Sequence, residues 1–443
     1  MLMVLINKDS KKYCPLLFTF AHRMDYIRAI DFLNSQFPQY QNVGAAGYKP
    51  GLERMLTLSQ WLGQPQDAFR SVHVAGTNGK GSVSHMLAAV FQSLGYRTGL
   101  YTSPHLIDFR ERIKVDGQMI EEEAVTSFVE MYIRERNMAD ASGVPSFFEI
   151  TTAMAFRYFA SKNVQVAVIE AGLGGRLDST NILSANALDL TVITNIGLEH
   201  CDILGHTKAL IAGEKAGIMK PGVPAVIGEY DAESYPVFEN RAKELDVPLY
   251  LASSSTADRY VQTSELDLKG SYQEKNLKTV LCALDVLQKK GAKVQEGLRH
   301  AATLTGLRGR WEKLGEQPAI IADTGHNAHG LRYLPEQLAR ESYEKLFIIL
   351  GFVTGKDLES IAPFLPADAF YFFTQAQIQR ALPAAGLAAW AAGKGLSGRI
   401  CPTIEEAFIN ARAQAGPGDL IFIGGSTFTV AEILEKFFCR KEK

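Results

Sequence analysis

Seven residues constrain this chain more than any others: Gly76-Thr77-Asn78-Gly79-Lys80-Gly81-Ser82. They follow Ser71-Val72-His73-Val74-Ala75, which reads as a buried strand, and precede Val83, Met86, Leu87, Val90 and Leu94, apolar positions at helical spacing. A strand, a glycine-rich turn and a helix in that order open an α/β unit. Glycines let backbone N–H groups turn inward around phosphate oxygens, the helix N-terminus adds positive potential, and Lys80 supplies a mobile point charge. Ser82 is placed to ligate Mg²⁺. The run departs from the standard Walker spacing, because Gly76 sits too close to Gly79 and Gly81 separates Lys80 from Ser82. The alternative, a purely structural turn, is disfavoured by the strand and helix on either side.

The same alternation continues downstream. Strand-like runs lie at 97–101, 164–169, 190–194 and 225–228, with helical periodicity between most of them, which predicts a mostly parallel sheet with helices on both faces. Helices are expected around 272–289 and 294–303, and two glycines in 306–311 then break the pattern. Beyond that break, strands at 319–323, 346–351, 369–373 and 420–424 alternate with helices at 331–340 and 404–413, predicting a smaller doubly wound α/β unit. The expected organisation is an N-terminal extension at 1–23, a P-loop mononucleotide-binding domain at 24–305 and a C-terminal α/β domain at 306–443. Met24 is the expected natural start, since a helical pattern opens at Tyr26.

Charge and cysteine usage narrow the partners. Across 443 residues, 46 Lys and Arg stand against 48 Asp and Glu, a net charge of −2, so no overall basic field points to nucleic acid or an anionic membrane. No apolar run approaches the roughly twenty residues that a spanning helix needs. Cys14, Cys201, Cys282, Cys401 and Cys439 are odd in number and form no Cys-x-x-Cys pair, which argues against a disulfide framework or a thiolate zinc site. The expectation is a cytoplasmic chain whose partners are small molecules.

Chemistry-bearing residues gather at the ends of the expected strands, where parallel sheets line their ligand crevices. Glu170 closes one strand and His200 follows another, so both side chains could reach a metal near the phosphate loop, and a carboxylate with an imidazole suits Mg²⁺ or Mn²⁺ better than zinc. On spacing alone a capped or solvated strand end explains each equally well. Tyr101 to Leu106 offers a loop hydroxyl, or merely a proline turn. Lys215, in isolation, reads as an ordinary helix lysine. Arg310 in the break and Asp323 to Asn327 after an apolar strand could close over a nucleotide, or serve as an exposed arginine and a helix cap.

Taken together, the motifs resemble the folylpolyglutamate synthase/dihydrofolate synthase family, relatives of the Mur cell-wall ligases. The resemblance runs from about Gly51 to the C-terminus, through Gly51 to Arg54, Val74 to Ser82, Tyr101 to Leu106, Glu170 to Asp178, Glu214 to Ile218 and Asp323 to Asn327, in the family's order. It implies that Ser103, Glu170 and His200 are magnesium ligands, with two metal sites, and that Gly76, Thr77, Asn78, Gly79, Lys80, Gly81 and Ser82 hold the ATP phosphates. It implies that Lys215 is carbamylated, turning a cation into a carboxylate-like support for the second metal. Asn276, Arg310 and Asp323 match positions that contact ATP; Lys80, Lys215 and His326 match catalytic positions. The pterin-bearing acceptor is expected against Tyr48, Lys49 and Pro50, against Phe147, Phe148 and Glu149, and against Leu177, Asp178 and Ser179. The implied substrates are ATP, L-glutamate and dihydropteroate or tetrahydrofolate, with a monovalent cation as a further cofactor and a monomeric enzyme. Two departures stand out: Thr324 and Gly325 replace a small apolar pair, and Ala328 stands where proline is usual. A Mur-type ligase acting on a UDP-linked precursor and a non-catalytic nucleotide-binding protein are the competing readings.

Overall fold

The structure, a computed structural model, describes residues 24–37, 49–252 and 261–439; the expected extension at 1–23 and Tyr48 lie outside them. Among the described residues the chain forms two sheets. The first is built from β1 (Arg70–Ala75), β2 (Thr98–Tyr101), β3 (Ile113–Val115), β4 (Gln118–Met119), β5 (Val166–Glu170), β6 (Leu188–Ile193), β7 (Ala225–Ile227) and β8 (Leu249–Leu251). Its spatial order is β4-β3-β2-β5-β1-β6-β7-β8, parallel except for the β3–β4 hairpin at one edge. The second contains β9 (Glu312–Glu316), β10 (Ala319–Ala322), β11 (Leu346–Leu350), β12 (Phe370–Phe373), β13 (Gly398–Ile400) and β14 (Leu420–Gly424), in the order β13-β12-β11-β14-β10-β9, with β9 antiparallel.

Each sheet is apolar on both faces, so each must be covered twice. One face of the first sheet packs under Lys80–Ser93, Gln273–Val286 and Ala292–Arg299; the other packs under Glu122–Ala139 and Phe147–Ser161. The Lys80–Ser93 helix is buried continuously from Ser82 to Phe91, so it is wrapped on every side and the glycine loop at its start is held rigidly.

Every strand expected from the apolar runs is present to within a residue or two. Two helices expected as single pieces are divided. The 294–303 pattern forms Ala292–Arg299 and Ala301–Thr305, broken at His300, and the 331–340 pattern forms Ala328–Leu331 and Leu334–Leu338. Pro335 falls at the start of the second of these, where its missing N–H is tolerated but cannot extend the preceding turn.

Candidate active site

The glycine loop crosses from β1 to its helix against the end of β6. Gly76 and Gly79 both take positive φ, and a Cβ at either would collide, with Thr194 Oγ1 and Asn276 Oδ1 respectively, so only glycine fits. The loop is tied to the β6 end: Thr77 N donates to Asn195 O at 2.9 Å, Asn78 N to Asn195 Oδ1 at 3.0 Å, and Thr194 Oγ1 to Asn78 O at 2.6 Å. Two lysines converge on one carbonyl, Lys80 Nζ donating to Gly76 O at 3.0 Å and Lys215 Nζ to the same oxygen at 2.8 Å. Burial, with Lys80 nearby, pulls the Lys215 ammonium down to about 7, so a neutral amine is accessible there near neutral pH.

Glu170 ends β5 opposite Gly81. Its carboxylate is 4% exposed and accepts from Ser103 N at 3.3 Å, and burial pushes its carboxyl up to about 7. His200 begins the short Cys201–Leu204 helix, and burial, with Lys356 and Lys80 near, lowers its imidazole to about 4, leaving a neutral ring. Among the described residues no three His, Cys, Asp or Glu side chains gather as a metal cluster. Glu170 and Ser103 offer oxygen donors, the kind a hard cation such as Mg²⁺ or Mn²⁺ takes. Ser82 Oγ accepts from Gln273 Nε2 at 3.2 Å, and Gln273 Oε1 accepts from Asn276 Nδ2 at 2.8 Å, which fixes Ser82 and Asn276 together beneath the loop.

The second sheet faces this wall. Asp323 closes β10 and accepts from three protein donors: Tyr272 hydroxyl at 2.6 Å, Trp311 N at 2.9 Å and Gly325 N at 2.7 Å. Arg310 reaches past Thr324 Oγ1 toward Gly81 and Glu170. Asn327 caps the Ala328–Leu331 helix through Gly330 N at 2.7 Å, and its amide exchanges two hydrogen bonds at 3.2 Å with Asn78 of the glycine loop. His326 Nε2 lies 3.0 Å from Glu199 Oε1, which also receives Lys356 Nζ at 3.1 Å. One cleft between the sheets is thus lined by the glycine loop, Ser103, Glu170, Asn276, Arg310, Asp323 and His326. Neither His200 nor Lys215 is among the lining residues; Lys215 lies under the loop, at Gly76 O.

The residues expected to meet the acceptor lie outside the cleft and form a neighbourhood of their own. Phe148 packs on Tyr101 and closes against Gly172, while Asp178 accepts from Leu173 N at 2.8 Å, so both border the loop that follows Glu170. Several are engaged by the protein. Glu149 and Ser146 form a capping box and Arg54 Nε pairs with Glu149 at 3.1 Å; Phe147 is core, under the Arg112 guanidinium; Asp178 also takes the Thr180 hydroxyl at 2.6 Å. Lys49 Nζ donates to Val144 O at 2.9 Å, Pro50 is exposed, Leu177 is half-buried and Ser179 buried. The sequence reading missed Tyr272, Asn195, Glu199 and Lys356. The Ser146-x-x-Glu149 spacing was a readable sign of capping.

A glycine-loop unit opening onto a second α/β sheet is an arrangement that Mur-type ligases use, and two family models place the chain in that class. Residues 74–292 match the Mur ligase middle domain and residues 309–427 the Mur ligase glutamate ligase domain. The chain is 32% identical to the dihydrofolate synthase/folylpolyglutamate synthase of Bacillus subtilis over 415 residues, covering 88% of this chain and 95% of that one. It is 33% identical over 419 residues to a probable bifunctional folylpolyglutamate synthase/dihydropteroate synthase of Halobacterium salinarum, covering 87% of this chain and about half (49%) of that longer protein. A solved bifunctional folylpolyglutamate synthase/dihydrofolate synthase with Mn, AMPPNP and L-glutamate bound superposes with a TM-score of 0.80 at 28% identity, covering 94% of this chain and 98% of that one. The chain belongs to the folylpolyglutamate synthase/dihydrofolate synthase family.

Proposed function

We propose that this chain joins L-glutamate to the carboxylate of a folate-type acceptor, dihydropteroate, tetrahydrofolate or both, at the expense of ATP. The observation that carries this reading is the meeting of the glycine loop, Glu170 with Ser103, and Arg310 with Asp323 on one cleft between two sheets. The bound AMPPNP, Mn and L-glutamate of the solved relative support it.

In this reading the loop N–H groups and Lys80 hold the triphosphate, and Asn276, Arg310 and Asp323 contact the nucleotide from the other side. Glu170 and Ser103 would hold one Mg²⁺, and His200, with a carbamate formed on Lys215, would support a second; the chemistry Mg²⁺ would supply there is neutralisation of phosphate charge. The amine of Lys215 adds to CO₂ with loss of a proton, which requires the neutral form that burial favours. The acceptor carboxylate attacks the γ-phosphorus, ADP leaves, and the glutamate amine displaces phosphate from the acyl phosphate. Lys80 and Arg310 neutralise the charge that develops on the transferred group. Residues 24–305 and 306–443 act as two units, and closing Arg310 and His326 over the cleft keeps water from the acyl phosphate. The acceptor enters along the Phe148–Gly172 neighbourhood beside Glu170. Four described cysteines are free thiols, which supports a reducing, cytoplasmic setting; no helix among the described residues is long and apolar enough to cross a membrane.

The test is ADP release from the purified protein with ATP, Mg²⁺ and L-glutamate, comparing dihydropteroate, tetrahydrofolate and a UDP-linked muramyl precursor. Turnover with either pterin is expected. Turnover with the UDP precursor alone would overturn the acceptor assignment.

A further inference from the structure

The β3–β4 hairpin has no part in the chemistry above, yet it grips the segment that carries Arg310. Lys114 of β3 is 4% exposed, and its Nζ donates to Thr305 O at 2.6 Å and to Gly306 O at 3.4 Å. The hairpin turn approaches the same helix end, so closely that a Cβ on Gly117 would strike the Leu304 carbonyl. A third contact comes from the glycine-loop helix itself. His85 Nδ1 lies 2.7 Å from Thr305 Oγ1, and because that hydroxyl donates to Ala301 O, His85 is the donor. The linker is pinned again four residues on, where Glu312 accepts from Gly309 N at 2.7 Å and from Arg308 Nε at 2.7 Å. Between these two anchors Gly306 to Gly309 has little freedom in the direction it presents Arg310.

We infer that Lys114 is a positioning residue, fixing the start of the Gly306–Arg310 linker against the first sheet so that the Arg310 guanidinium faces Gly81 and Glu170. The inference rests on the role given to Arg310 under Proposed function. Lys114 borders the cleft, but its Nζ is turned to the Thr305 and Gly306 carbonyls at the end of the Ala301–Thr305 helix, where a cation meets carbonyls that a helix C-terminus leaves unbonded. Lys80 and the loop hold the ground-state triphosphate independently of the linker, so a misdirected Arg310 lowers turnover more than it weakens ATP binding.

A double-mutant cycle on the full chain tests this, reading ADP release with saturating glutamate and whichever acceptor turns over. Lys114→Met is expected to lower kcat about tenfold or more while changing the KM for ATP by less than about threefold. Lys114→Arg, which keeps the donors, is expected to restore kcat to within about threefold of wild type. In an Arg310→Ala background, Lys114→Met should cost nothing further, because a residue that acts through Arg310 has no target left. Thr305→Val removes the His85 contact without burying a charge and serves if Lys114→Met does not fold; it should lower kcat less, and likewise be silent when Arg310 is absent. Multiplying effects in the double variants, or wild-type kcat in both Lys114→Met and Thr305→Val beside an impaired Arg310→Ala, would overturn the inference alone. Wild-type turnover in Arg310→Ala would instead remove the role of Arg310 from which it starts.

Discussion

Glu170 is a side chain that the fold would do better without. A carboxylate 4% exposed, with Ser103 N as its hydrogen-bond donor, leaves much of its accepting capacity unfilled, and an under-bonded buried charge is destabilising. Lys80, Arg310 and Arg112 favour the ionised form without offsetting burial, which still holds the carboxyl near 7. The isosteric change Glu170→Gln removes the charge and opens no cavity. Without divalent ions its Tm is expected to rise by about 1–3 °C, while ADP release falls about 100-fold or more. The gain in Tm that Mg²⁺ gives wild type at fixed ATP should vanish in the variant, since the ion stabilises only a fold that binds it. Wild-type turnover together with an intact Mg²⁺ shift would remove Glu170 from the metal site.

At the scale of the element, β1 carries a second buried titratable group, and its effect on the fold runs through pH. His73 lies between β5 and β6 at zero exposure; Thr180 Oγ1 donates to Asp178 and so receives the His73 Nε2 proton at 2.8 Å. Burial lowers the imidazole from 6.5 to about 3. Between those values the unfolded chain binds a proton that the folded chain refuses, so stability is lost as pH falls through that window, by about 1.4 kcal/mol per unit. His73→Gln keeps a donor toward Thr180 and has nothing to titrate. The stability of wild type relative to this variant, from urea midpoints, should therefore decline by about that slope from pH 6 to pH 4.5, and parallel curves would mean that His73 is protonated in the fold. The central strands were legible because both their faces are buried and they read as unbroken apolar runs, as in Val166 to Ile169. β3, β4, β8, β9 and β13 were not: they are two to five residues long and lie at or beside sheet edges, and all but β8 carry a polar residue, Lys114, Gln118, Lys313 or Arg399, in place of an apolar signal.

For the whole molecule, the limit of the sequence is set by distance along the chain. The glycine loop and the Asp323–Asn327 run are local patterns, but nothing near Asp323 announces that one of its partners is the hydroxyl of Tyr272, 51 residues earlier and beside the first sheet. Glu149 and Asp178 illustrate the converse, since their carboxylates are engaged by Arg54 and by Thr180, contacts that fold the site's surroundings. The Tyr272–Asp323 bond, together with the Asn78–Asn327 pair, holds the two sheets across the cleft, and the linker between them contains two tryptic sites, Arg308 and Arg310. A hydrogen bond to a carboxylate contributes about 1.5–3 kcal/mol, so removing it multiplies the population of separated units roughly ten- to hundredfold. Tyr272→Phe deletes only that oxygen, and Asp323 keeps Trp311 N and Gly325 N. Trypsin should then cut the variant at the linker at least about tenfold faster than wild type while global unfolding by urea changes little, because cleavage follows the open population when reclosing is fast. ATP with Mg²⁺ should restore most of the protection by binding the closed arrangement. Equal cleavage rates would show that the units are held by other contacts and that this bond is incidental to closure.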